Sequence, residues 1–162
     1  MKTKQIALIG VLCALSSVLG YIESLIPPIA PVAGFKIGLS NLAVMYALYK
    51  LGGRQAFFVM LVKVLVTSLW FSGFGALIYS LCGGLAALFA MAAAKKLGMS
   101  HRGVGMCGGV CHNIGQLAAA CVVMDTLSVL YWAPALLICG LITGFFIGTV
   151  AFLIIKYTKN VK

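Results

Sequence analysis

Apolar runs of membrane-spanning length follow one another from Gln5 to Tyr157, and the short breaks between them hold nearly all of the chain's charge. Of the 162 residues 63% are hydrophobic and only 9% are charged. A water-soluble domain carries about a quarter charged residues, whereas a helix needs roughly 20 mainly apolar residues to cross about 30 Å of hydrocarbon. The length leaves room for about six such helices and little else. The pattern therefore implies an all-α, polytopic membrane bundle forming one integral domain over residues 1–162. It excludes a soluble enzyme, a disordered chain and an all-polar binding module.

Glu23 and Asp125 are the only acids, against twelve Lys and Arg. Enzymes that hold Mg²⁺ on a diphosphate need clustered carboxylates, because this hard cation prefers oxygen ligands. A single Asp cannot build an aspartate-rich motif. The chain also lacks a G-x-x-x-x-G-K-[ST] phosphate loop, so energy for any driven process has to come from a partner. The net charge of +10 is dispersed in short clusters with no basic stripe interleaved with aromatics, and no nucleic-acid partner is expected.

The first span is expected over Gln5–Ile26, after a basic start at Met1–Lys4. This resembles a signal peptide, but the run is long for one and no clean A-x-A site follows, so a retained helix is expected. Prolines 27, 28 and 31 then force an extended loop as far as Gly34. A second helix over Leu39–Leu51 is about 20 Å long, too short to cross alone, and stops at Gly52-Gly53. Further spans are expected over Arg54–Phe71, Phe74–Ala94, Gly103–Met124 and Pro134–Tyr157, with Asp125–Ala133 as a loop.

Basic residues stay on the cytoplasmic side of a membrane. With the N-terminus inside, the inner segments hold Lys2, Lys4, Lys50, Arg54, Lys95, Lys96, Arg102, Lys156, Lys159 and Lys162. Only Lys36 and Lys63 remain, and both acids fall at the outer ends of their helices. Both termini are thus assigned to the cytoplasm. Trp70, Phe71, Tyr131 and Trp132 fall where interfacial aromatic belts occur.

A charge within a span is costly and is normally partnered, functional or drawn out toward the headgroups. Lys63 lies about 14 Å along its helix from Arg54, near the midplane. His112, Asn113 and Gln116 lie at a similar depth, about 14 to 20 Å from Gly103. His112 and Gln116 share a face that Gly105 and Gly109 continue. Such groups either bind a ligand or tie helices together. Lys36 and Asn41 flank the start of the short helix, with Ser40 available as a cap. A helix beginning inside the membrane turns a partial positive charge toward a cavity, which would suit an anion; an ordinary capped helix is the alternative. Glu23 is a counter-ion for Lys36 or a ligand for a substrate cation.

Ala7, Gly10, Ala14 and Ser17 share one face of the first helix, where small side chains permit close approach by an internal neighbour or by a separate membrane subunit. The cluster Cys107-x-x-x-Cys111-His112 has neither a zinc nor a haem spacing, so no metal and no cofactor is expected. With no acid near enough to orient the His112 imidazole, no catalytic residue is assigned and the chain is expected not to be an enzyme.

Ile22-Glu23-Ser24 before a proline loop, Lys36-Ile-Gly-Leu-Ser-Asn41, Gly83-Gly84-Leu85 and His112-Asn113-x-x-Gln116 together resemble the bacterial membrane family labelled heptaprenyl diphosphate synthase component I, also called the Gx transporter family. That family is similar to the substrate-binding S components of energy-coupling factor transporters. The resemblance implies a six-helix protein of the bacterial cytoplasmic membrane that binds a small, anionic or zwitterionic molecule near the outer face. Helix one would meet a coupling membrane subunit, and ATPases would supply the energy. Glu23, Lys36, Asn41, Lys63, His112, Asn113 and Gln116 are the candidate ligands, and Ala7, Gly10, Ala14 and Ser17 the candidate partner surface. The alternative is a non-catalytic accessory subunit for polyprenyl diphosphate synthesis or flavin-linked extracellular electron transfer.

Overall fold

The computed structural model describes residues 3–25, 38–72 and 75–158. The proline loop from Pro27 to Gly34, Lys36, and the terminal Lys2, Lys159 and Lys162 lie outside the described residues, as does the side chain of Phe71. Six α-helices carry the fold: α1 Thr3–Ser24, α2 Asn41–Lys50, α3 Gly53–Thr67, α4 Ala76–Lys96, α5 His101–Val123 and α6 Ala133–Tyr157. A π-helical turn, Ser68–Ser72, prolongs α3, and a 3-10 turn, Ser128–Trp132, leads into α6. No strand occurs among the described residues.

Five of these helices are long and apolar enough to cross a membrane, and the chain is a multi-pass membrane protein. The exception is α2, whose ten residues span about 15 Å. It is the half-length helix expected between the proline loop and Gly52-Gly53. The helix boundaries differ from the sequence expectation by a few residues, and two of the differences have a local cause. Helix α5 starts at His101 because Ser100, with extended backbone, accepts a hydrogen bond from the Gly103 N–H and caps it. The segment expected as a loop before α6 winds into the 3-10 turn, and Asp125 adopts the left-handed conformation, with φ of 46°, just beyond α5.

One end of the bundle gathers the basic turns. Lys95 at the end of α4 donates to the Leu48 carbonyl in the last turn of α2. His101 stacks on Tyr49 of α2 and meets Phe152 near the end of α6, while Tyr46 donates to Thr158. These contacts place Lys50, Arg54, Lys96, Arg102 and Lys156 at one end, as the charge count requires. Exposed apolar side chains such as Val11, Phe89, Ile138 and Phe146 line the outside of the bundle, where lipid tails are their natural solvent.

Burial against a neighbour gains little from the hydrophobic effect when the alternative is lipid, so helices associate here through close van der Waals packing. Glycines make that packing possible. A Cβ on Gly105 would strike the Gly144 carbonyl, one on Gly109 the Gly140 carbonyl, and one on Gly148 the His101 carbonyl. Helices α5 and α6 thus meet backbone to backbone along steps of four residues. On the other side of α5, Gly108 receives Met91 and Gly115 lies against the Cys82 carbonyl of α4. Helix α5 is therefore the central element, with α4 and α6 flanking it. The remaining members α1, α2 and α3 pack on one another, and α1 is the least buried of the five long helices.

Gly144→Val should force α5 and α6 apart, because its new Cβ would lie 2.7 Å from the Met106 Cα and overlap the Gly105 carbonyl. The expected loss is about 1–3 kcal/mol, the usual cost of overpacking. Gly53→Ala, which has open space around its new methyl, should stay near wild type. Denaturation of the two purified variants in mild detergent checks this, and equal midpoints would remove the glycine seam as the basis of the α5–α6 contact.

Candidate functional site

The short helix α2 begins in the interior of the bundle, and its first N–H groups need acceptors there. Glu23, near the end of α1 and only 4% exposed, supplies them. Its Oε1 accepts from the N–H of Gly38 and, at 2.6 Å, of Leu39; its Oε2 accepts from the Ser40 N–H at 3.2 Å and the Ser40 hydroxyl at 2.7 Å. The next two N–H groups turn back within the chain, Asn41 to the Gly38 carbonyl and Leu42 to that of Leu39. Every donor from Gly38 to Leu42 is thereby satisfied. Gly38 makes the turn possible with φ of 89°, a left-handed conformation that a side chain would strain. Ser40 makes no local cap, in contrast to the sequence expectation. A full negative charge fifteen residues earlier in the chain does that work, because it meets several donors at once and opposes the helix dipole.

Lys63 of α3 reaches the same turn from another side. Its ammonium donates to Asn41 Oδ1 at 2.8 Å, and both residues are buried. A carboxylate from α1 and an ammonium from α3 are therefore both bonded to one turn of α2, which balances charge in a medium that tolerates neither alone. On the far side of Gly38, His112 brings α5 to the turn: a Cβ on Gly38 would lie 3.8 Å from the His112 Cδ2. Gly83 of α4 accommodates both His112 and Gln116, since a Cβ there would fall 3.1 Å from the imidazole Cε1 and 2.7 Å from the Gln116 Cγ.

The structure thus brings Glu23, Asn41, Lys63 and His112 around one turn, with Gln116 one helical step beyond His112. Asn113, the next residue along α5, points to α6 instead and donates to the Leu136 carbonyl at 2.6 Å. Gly140 leaves room for that amide, 3.0 Å from where a Cβ would stand. The row seen in the sequence is thereby divided: Gly105 and Gly109 meet α6, whereas His112 and Gln116 meet α4.

Several buried polar groups here were not evident from sequence. Thr67, Ser68 and Ser80 are each at most 4% exposed. Thr67 turns its hydroxyl back to the Lys63 carbonyl at 2.9 Å and its methyl toward Gly20 of α1. Among the described residues, the Asn113 Oδ1, Ser68 Oγ and Ser80 Oγ are buried without a hydrogen-bond partner, which leaves polar atoms of the interior in reserve. The helical phase held one signal: Ser80 stands three and four residues before Gly83 and Gly84, on their inward face.

Ala7, Gly10 and Ala14 are exposed and Ser17 is half-buried, and nothing lies within 4 Å of a Cβ placed on Gly10. The inward face of α1 is instead the row Leu12, Ser16, Gly20 and Glu23. Among the described residues, Ala7, Gly10 and Ala14 therefore face away from the bundle, with Ser17 at the edge of the buried face.

The family model described as heptaprenyl diphosphate synthase component I matches residues 12–154. No curated protein and no solved structure matches the chain.

Removing the Glu23 carboxylate should be the most damaging change at this turn. Glu23→Ala leaves three backbone N–H groups and a hydroxyl without their acceptor. A cost of about 2–4 kcal/mol is expected for buried donors of this kind, with Glu23→Gln intermediate because it keeps one acceptor oxygen. Unfolding of the purified variants measures it. An alanine variant as stable as wild type would show that α2 does not depend on the carboxylate.

Proposed function

This chain belongs to the heptaprenyl diphosphate synthase component I family, and on that premise we propose that it is a non-catalytic membrane subunit that binds a small molecule and passes it on with energy from partner subunits. The observation that carries the reading is the polar interior gathered at the start of α2 in an otherwise apolar bundle. A half-length helix opening inside the membrane, flanked by a buried ammonium, an imidazole and two amides, is a common way to meet a charged solute near the outer half of a transporter. Lys63, Asn41, His112 and Gln116 are the ligands in this reading, with Asn113 offering its Oδ1 from the α6 side and Lys36 as a further candidate from the sequence. Glu23 holds the turn that presents them. A small anionic or zwitterionic metabolite suits this set, because the ammonium and the amide donors together favour an anionic group.

The partner side of the proposal rests on α1. A row of small residues directed away from the bundle suits a second membrane helix that approaches closely, as a coupling subunit of an energy-coupling factor transporter does, with ATPases beyond it. The setting is the bacterial cytoplasmic membrane. A second reading uses the same face differently, with the chain as an accessory subunit that holds a polyprenyl synthase or a flavin-linked redox protein at the membrane; the family's description favours the first of these.

Mass spectrometry of small molecules retained by the gently purified protein should find one metabolite in stoichiometric amount. Lys63→Ala and Asn113→Ala should each weaken its binding about tenfold, equivalent to about 1.4 kcal/mol, with membrane insertion unchanged. Normal binding by both variants would discard the pocket. Isolation of the native complex decides the partner: ATPases with a coupling subunit support transport, and a soluble prenyl synthase or a redox protein supports the accessory role.

A further inference from the structure

At the cytoplasmic end, the first turn of α5 separates two hollows that the outer polar site does not use. The first, of about 260 Å³, is lined by Ser100, His101, Arg102 and Phe152. Its imidazole is held in place, stacked on Tyr49 with ring centres 4.5 Å apart and 5.3 Å from the Phe152 ring. The guanidinium of Arg102 lies over Phe145 of α6, 5.4 Å from the ring centre, and so is directed along the α5–α6 boundary. The second hollow, of about 310 Å³, continues from that point toward the middle of the bundle, between Met99, Gly103, Met106, Val110 and Leu141. Met106 and Val110 follow Arg102 at steps of four residues, and Leu141 precedes Phe145 by the same step, so the apolar hollow rises directly above the guanidinium.

Charge decides what fits. Lys95, Lys96, Arg102 and Lys156 lie at this end, and no acidic side chain does: Glu23 is bonded to the start of α2 and Asp125 follows the far end of α5. The Lys95 ammonium is engaged with the Leu48 carbonyl and the Tyr49 ring, and Arg102 is the cation that lines the first hollow and lies over Phe145 beside the second. Its counter-charge must come from outside the described protein. A guanidinium at the depth of the headgroups, with hydroxyl and imidazole beside it and an apolar channel above it, matches a phosphodiester carrying an acyl chain.

We propose that this end binds one anionic phospholipid of the cytoplasmic leaflet, its phosphate on Arg102 with Ser100 and His101, and an acyl chain in the hollow beneath Met106 and Val110. The site is independent of the solute-binding reading.

The test uses the full chain in nanodiscs of equal phosphatidylglycerol and phosphatidylcholine, with lipids retained on release into the gas phase counted by native mass spectrometry. Wild type should retain phosphatidylglycerol roughly fivefold over phosphatidylcholine, the preference that about 1 kcal/mol from one basic residue supplies. Arg102→Gln should abolish the preference, Arg102→Lys should keep part of it, and Arg54→Gln, at the same end on α3, should leave it intact. Val110→Phe changes no charge but fills the apolar hollow, and it should also lower retention, so the proposal stays testable if the arginine variant fails to fold. Equal retention of the two lipids by wild type overturns it, as does an equal loss in Arg54→Gln, which would mean a general surface charge. Displacement of the lipid by millimolar inorganic phosphate, with no effect of Val110→Phe, would also overturn it in favour of a soluble phosphate site.

Discussion

A helix that begins in the interior of a membrane protein must place its first N–H groups against something other than water, and here that partner is the carboxylate of Glu23. Three backbone donors and one hydroxyl converge on its two oxygens. At the opposite end of the same helix, Lys95 donates to the Leu48 carbonyl. An anion at the N-terminus and a cation near the C-terminus both oppose the dipole of α2, which makes a ten-residue helix viable where isolated helices of that length are marginal. The chain has only two acids, and one is committed to this position. Much else follows from it: the turn at Gly38 exists to bring its N–H to the carboxylate, and that turn in turn fixes where Asn41 receives Lys63.

The two halves of the bundle are held by different physics. Helices α4, α5 and α6 approach through glycines, and their cohesion is dispersion between backbones that no side chain keeps apart. Helices α1, α2 and α3 join the same bundle through larger apolar side chains such as Leu12, Met45 and Met60, and through the polar groups around Gly38. His112 lies at the junction, on the helix that packs tightly with α4 and α6 but beside the turn at Gly38. A solute bound there would touch both halves.

Charge is partitioned along the bundle in the same economical manner. The basic excess marks one end of the bundle, and only Glu23, Lys63 and Asp125 among the described residues bring formal charge elsewhere. Two of those three meet at the turn of α2. The surplus at the basic end is then set apart from the polar interior, where one ammonium, one imidazole and a few amides gather.

Hydropathy was enough to indicate an all-helical, multi-pass membrane chain and the shortness of α2, and it marked Lys63 and His112 as polar groups inside apolar runs. Each of those properties is a sum of transfer energies for single residues or short windows, so no knowledge of neighbours is needed. Helix rotation and pairing are another matter. Sequence spacing placed Gly105, Gly109, His112 and Gln116 in one row and offered α1's small residues to an inner or an outer partner, because a periodicity names a face but not what it meets. The structure divides the row between α6 and α4 and turns the small stripe of α1 outward. Nor could spacing link Glu23 to Gly38, Leu39 and Ser40 many residues further on, or tell Ser40's hydroxyl from an ordinary cap. Those outcomes depend on directional hydrogen bonds and on contacts between backbones, which only the assembled tertiary structure decides.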